Sequence, residues 1–86
     1  MRKEIERNGL ISLANMKSGQ TGRIVQIDGG GGMTRRIDTL GLRIDRQIKK
    51  VSRQLMRGPV IVSHGNTRAA VGFGMAQRIW VEIKQP

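Results

Sequence analysis

One histidine, His64, and no cysteine leave this chain few groups for bond-making chemistry. A nucleophile needs a base and an orienting partner, and no such set is recognisable. The sequence therefore reads as that of a binding protein, with no catalytic residue and no cofactor assigned. A transition-metal site needs several converging His, Cys or carboxylate ligands. His64 stands beside a Gly65-Asn66 turn and reads as a strand-end residue, so no metal ligand is assigned either. Asp28, Asp38 and Asp45 flank one short helix, where weak ion pairs with nearby arginines are the simpler expectation. The remaining chemistry is charge recognition. Gly29 to Gly32 run into Arg35-Arg36, and free N–H groups at a helix start beside two guanidiniums attract anions. No Gly-Lys-Ser/Thr follows, and the dinucleotide fingerprint is absent, so the glycines read as a flexible loop leading into a helix.

The elements that must position these residues follow from spacing. Met33, Ile37 and Leu40 at i, i+4 and i+7 share one helical face, with Arg35, Arg36 and Asp38 on the others. Gly41 follows where a left-handed cap is needed. The segment predicts a two-turn helix lying across a β-structure with its arginine pair outward. Thr21 to Asp28 predicts the first clear strand, preceded by a short strand at Leu10-Ile11 and a single turn through Leu13 and Met16 with Ser12 as its N-cap. Gln47 to Arg53 predicts a weaker strand, because Lys49 and Lys50 break its alternation, and Arg57-Gly58-Pro59 a turn. Pro59 to Val71 carries the best hairpin signal: a two-residue Gly65-Asn66 turn opposes His64 to Thr67, Val62 to Ala69 and Val60 to Val71. Val60, Val62, Ala69 and Val71 then face the core, with Ser63 and Arg68 paired on the other side. Met75 to Arg78 suits a tight turn. Ile79, Val81 and Ile83 alternate with Trp80 and Glu82 in a last strand, its core contacts joined by Ile24 or Val25. An outward Trp80 is either a lid on a second small core or part of a contact patch.

Eighty-six residues make one domain, 1–86, with 1–9 as a loose extension reaching at most one helical turn. No apolar run approaches the roughly 18 residues of a membrane span, and the N-terminus lacks a signal-peptide core; a soluble cytoplasmic protein without membrane insertion is expected. Sixteen Lys and Arg against six Asp and Glu give +10, a long-range attraction to acidic surfaces or nucleic acid. Phe73 and Trp80 are its two aromatics, which counts against single-strand binding by base stacking.

A series of short motifs runs in order through residues 10 to 84: Leu13 to Gln20, Gly22-Arg23-Ile24-Val25, the glycines, Arg35-Arg36-Ile37 and Leu40-Gly41-Leu42-Arg43. It continues through Val62 to Gly65, Ala69-Ala70-Val71-Gly72, Gly74-Met75-Ala76, Arg78-Ile79 and Val81-Glu82. In this order and spacing the motifs resemble the FeoA family, small cytoplasmic proteins of bacterial and archaeal ferrous iron uptake. The resemblance implies a mainly β fold, a small SH3-like β-barrel with a short helix between its first two strands. There are two departures. Ile44-Asp45 replaces the family's usual Pro-Gly, with Asp tolerating a left-handed conformation. Lys50 stands where the family prefers an apolar strand residue.

The implied function is that of an accessory or regulatory protein that binds the cytoplasmic side of FeoB, a membrane iron transporter with a GTP-binding domain. Arg35, Arg36, Arg43 and Trp80 are the candidate partner-binding residues. A related reading is a regulatory domain detached from a metal-responsive repressor, since those proteins carry a similar barrel. The alternative class is a nucleic-acid-binding small β-barrel, supported by the charge.

Overall fold

The computed structural model describes residues 6–7, 9–51 and 58–84. Among the described residues seven strands form one antiparallel sheet: β1 (Glu6–Arg7), β2 (Leu10–Ser12), β3 (Thr21–Ile27), β4 (Gln47–Lys50), β5 (Val60–His64), β6 (Thr67–Val71) and β7 (Ile79–Ile83). Their order is β1-β2-β7-β3-β4-β5-β6. The sheet is not closed by hydrogen bonds among the described residues; it curls around one core that draws on β3 to β7. A 3₁₀ turn (Leu13–Asn15) follows β2, helix α1 (Gly30–Thr39) lies between β3 and β4, and the single turn α2 (Phe73–Ala76) follows β6. Contact between α2 and the 3₁₀ turn brings the two sides of the sheet together over the core. The mainly β, SH3-like class is the one expected, but the sheet is an open one and the helix lies between β3 and β4, because two short strands, β1 and β2, precede the strand expected as the first.

The hairpin register is the one its alternation predicts: Val60 faces Val71, Val62 faces Ala69 and His64 faces Thr67. Gly65 has a φ of 60° and Asn66 does not enter the left-handed region, so the turn is of the II′ kind that matches strand twist. Val60, Val62, Ala69 and Val71 are buried with Ile79 and Val81. From β3 it is Ile24 that enters this core, while Val25 forms a bulge between the Ile24–Val81 and Gln26–Trp80 pairs. Gly22 is required where β3 meets β7, because a Cβ there would collide with the Val81 side chain and the Glu82 carbonyl.

Other local expectations change. The glycines are not a loop before the helix; Gly30 to Gly32 open it, Gly29 is its N-cap residue, and both Gly29 and Gly30 have left-handed φ. The single turn near residue 75 is helical and starts earlier, at Phe73. Glu6–Arg7 pairs with Leu10–Ile11 as a strand rather than forming a helical turn, and the rest of residues 1–8 lie outside the described residues. Lys50 does not break the alternation of β4. It points inward with Ile48, is 3% exposed, and continues the buried side of the strand. The end of the weaker strand and Arg57 of the expected turn lie outside the described residues.

Lys50 is tolerated because its ammonium is satisfied by backbone. Its Nζ donates to the carbonyls of Met16 at 2.7 Å, Ala14 at 3.1 Å and Leu13 at 3.4 Å. The Ala14 and Met16 carbonyls lie at the C-terminal end of the 3₁₀ turn, where such a turn leaves carbonyls without intrahelical partners, whereas the Leu13 carbonyl also accepts from Met16 N–H at 3.2 Å. Ser12 does not cap that turn with its side chain; its Oγ accepts from Asn15 Nδ2 instead.

Candidate partner-docking surface

Helix α1 is fixed to the core of the sheet at its C-terminal end. Ile37 is fully buried, and Met33 and Leu40 pack beside it against the core. Gly41 N–H donates to the Asp38 carbonyl and Leu42 N–H to the Ile37 carbonyl, while Gly41 has a φ of 87°. This is the Schellman closure, and its usual apolar contact is present in Ile37 and Leu42, both buried. The His64 ring closes the arrangement from the hairpin. Its Nε2 lies 3.1 Å from the Leu40 carbonyl, to which it must donate, and a Cβ on Gly41 would strike the ring. His64 thus ties the end of β5 to the end of α1. Among the described residues no group of three His, Cys, Asp or Glu is placed to hold a metal.

The opposite side of α1 carries the charge. Arg35 and Arg36 are exposed, and among the described residues neither has a carboxylate within ion-pair distance. Arg43 Nε meets Asp38 Oδ1 at 3.0 Å, both side chains being largely exposed. Arg35 and Arg43 line a groove of about 600 Å³ between the helix and the segment after it. Its other walls include Ile27, Leu42 and Ile44. Arg36 lies outside this lining, and so does Trp80. Trp80 is half-buried on β7 and donates its Nε1–H to Asp28 Oδ2 at 3.0 Å, one residue before the N-cap of α1. The structure therefore brings Arg35 and Arg43 together and leaves Arg36 and Trp80 beside them on separate features.

The three aspartates do not gather. Asp28 accepts from Trp80 and Gln26, Asp38 pairs with Arg43, and Asp45 pairs with Arg23. Arg23 also reaches Glu82, at 2.8 Å, and hydrogen bonds to Glu82 and then Asp45 raise its pKa further above the ordinary arginine value. Asp45 adopts a φ of 75°, the left-handed conformation its type tolerates.

Sequence reasoning missed Ile44. It is the large hydrophobic exposed among the described residues, at 48%. The signal lies in the Ile44-Asp45 departure, where an apolar residue takes a turn position that proline usually fills.

Among known proteins, the chain is 36% identical over 70 residues to a putative Fe(2+) transport protein A of Methanocaldococcus jannaschii, covering 81% of this chain and 83% of the relative. It is similar to the crystal structure of an iron uptake regulatory protein, FeoA, with a TM-score of 0.79 at 31% identity, covering 87% of this chain and 97% of that one. A manganese-dependent transcriptional repressor complexed with manganese has a TM-score of 0.81 at 22% identity, over 91% of this chain and 38% of the repressor, a likeness of fold alone. The family model described as the FeoA domain matches residues 11–83, and the chain belongs to that family, which is associated with ferrous iron transport.

Proposed function

We propose that this chain is a cytoplasmic accessory protein of ferrous iron uptake that acts by docking on the cytoplasmic part of a FeoB-type transporter. The observation that carries the reading is α1. Its inner face is held by Ile37 and the Gly41 closure, and its outer face offers Arg35 and Arg36 with no partner among the described residues. A rigid helix with unpaired cations suits an acidic protein surface, where such charges speed encounter and set orientation. Arg43 extends this surface across the groove, and Trp80 borders it through Asp28. Membership of the family supports iron transport as the setting, and no described helix is long and apolar enough to cross a membrane.

The net charge of +10 also favours a nucleic-acid reading. A salt series separates the two. Purified chain is titrated with the transporter's cytoplasmic domain and, separately, with single-stranded RNA. The docking reading expects saturable binding to the domain and weak RNA binding. Tight RNA binding that falls steeply with salt on logarithmic axes, with none to the domain, overturns it.

A further inference from the structure

The segment Arg43 to Arg46 breaks two local preferences. Arg46 N–H donates to the Arg43 carbonyl at 3.0 Å and Asp45 is left-handed, the pattern of a type II turn. Such turns favour proline and then glycine at their centre. Here the centre is Ile44 and Asp45. The backbone is nonetheless pinned. Asp45 N–H donates to the Ile24 carbonyl at 2.7 Å, Ile24 N–H donates to the Arg46 carbonyl at 3.0 Å, and Arg23 Nη1 holds the Asp45 carboxylate. A branched apolar side chain is thus presented to solvent on a turn that cannot easily withdraw it. The groove between the turn and α1 opens beside it, with Ile27 and Leu42 among its walls and the bare backbone of Gly31 at the helix start. Its charged rim is Arg35 and Arg43, and Asp38 is already engaged by Arg43. Ile44 and Arg43 also line a second, more open depression together with Asp45 and Arg46.

We propose that this groove receives an apolar side chain from an acidic segment of the partner protein, with Ile44 as its central apolar contact and Arg35 and Arg43 receiving the flanking carboxylates. This rests on the docking reading above and adds the chemistry of what docks. Charge complementarity argues for the acidic occupant, because the rim and the whole chain are cationic. The apolar lining argues for a protein segment. A sugar-phosphate backbone would gain little from Ile27, Leu42 and Ile44, whereas an apolar side chain buried there would form the water-excluding core that protein interfaces have inside a polar rim.

The experiment uses the full chain, isotopically labelled and followed by NMR, with a short amphipathic peptide of leucine and glutamate as the first probe and the transporter's cytoplasmic domain as the second. With the peptide, shifts are expected at Gly31, Thr34, Leu42 and Ile44. Ile44→Ser, at an exposed position, should keep the fold and weaken binding about tenfold. Ile44→Lys separates apolar contact from charge: it should weaken binding too, although it adds a cation. Absence of peptide binding, shifts elsewhere, or tighter binding by Ile44→Lys overturns the proposal. If the cytoplasmic domain binds the parent and Ile44→Ser equally, the groove is wrong and the docking reading stands. If the peptide behaves as expected and the domain does not bind, the docking reading fails and the groove stands.

Discussion

Replacing Lys50 by methionine tests whether a buried cation holds the start of this fold in place. The parent ammonium serves three carbonyls, those of Leu13, Ala14 and Met16. In Lys50→Met the Leu13 carbonyl keeps its bond from Met16 N–H at 3.2 Å. The Ala14 and Met16 carbonyls, in residues that are both buried, lose the Lys50 donor. A buried group deprived of its partner costs about 1–3 kcal/mol, so the two together cost about 2–6 kcal/mol. Against this, methionine removes the desolvation of a buried ion, and such replacements elsewhere range from neutral to stabilising by about 1–4 kcal/mol. The carbonyls outweigh that gain here because the methionine leaves them no substitute donor. A net loss of about 1–3 kcal/mol is expected, a fall in Tm of roughly 5–20 °C for a domain of this size. Burial also holds Lys50 below its ordinary pKa of 10.5. Just below that pH the unfolded chain binds the extra proton, so parent stability rises with pH there, and Lys50→Met should lack that increment. Urea and thermal melts followed by circular dichroism, with the urea m-value compared between the proteins, measure both effects. A variant as stable as the parent or more so, with the same slope in pH, refutes the reasoning.

Other consequences follow from the core, the strained turn and the lone histidine. Val62→Asp places a carboxylate at a fully buried position opposite Ala69, and should leave the chain unfolded in a thermal melt; a cooperative transition near that of the parent would mean the hairpin register is wrong. Asp45→Gly relieves a left-handed residue at the loss of an exposed ion pair to Arg23, and should raise Tm by a few degrees, a gain of about 0.5–1 kcal/mol; a lowered Tm would show that the pair outweighs the strain. The isolated chain should bind ferrous or zinc ions weakly at most, since His64 Nε2 is donating to Leu40; a tight one-to-one site in calorimetry, lost in His64→Ala, would contradict this.

Where local rules and the fold agree, residue types alone were sufficient. The hairpin at 60–71 was legible because a two-residue turn fixes register and a period of two then assigns every side chain to a face. The face of α1 was legible from Met33, Ile37 and Leu40, and its end from Gly41. The start of α1 was not. Glycine is a poor helix former, so Gly30 to Gly32 read as loop, yet here they form a helical turn ahead of a well-anchored segment. Lys50 was illegible for a different reason. The carbonyls that satisfy it lie 34 to 37 residues away in sequence, and nothing local announces them. At the surface, exposed arginines on a periodic helix could be named in advance. Which of them share a groove depends on where the Arg43–Arg46 turn folds back, and that is set by pairing with Ile24 across the sheet.

The central claim is that the outer face of α1 meets an acidic surface of the transporter. The most direct measurement is the association rate of the full chain with the purified cytoplasmic domain, for the parent and for Arg35→Glu combined with Arg36→Glu, over a range of salt. Both arginines are exposed and lack ion pairs among the described residues, so the variant should keep its Tm nearly unchanged. Its association should be slower and less dependent on salt than that of the parent. An unchanged association rate and salt dependence, where the parent binds measurably, would contradict the account and move the docking face away from this helix.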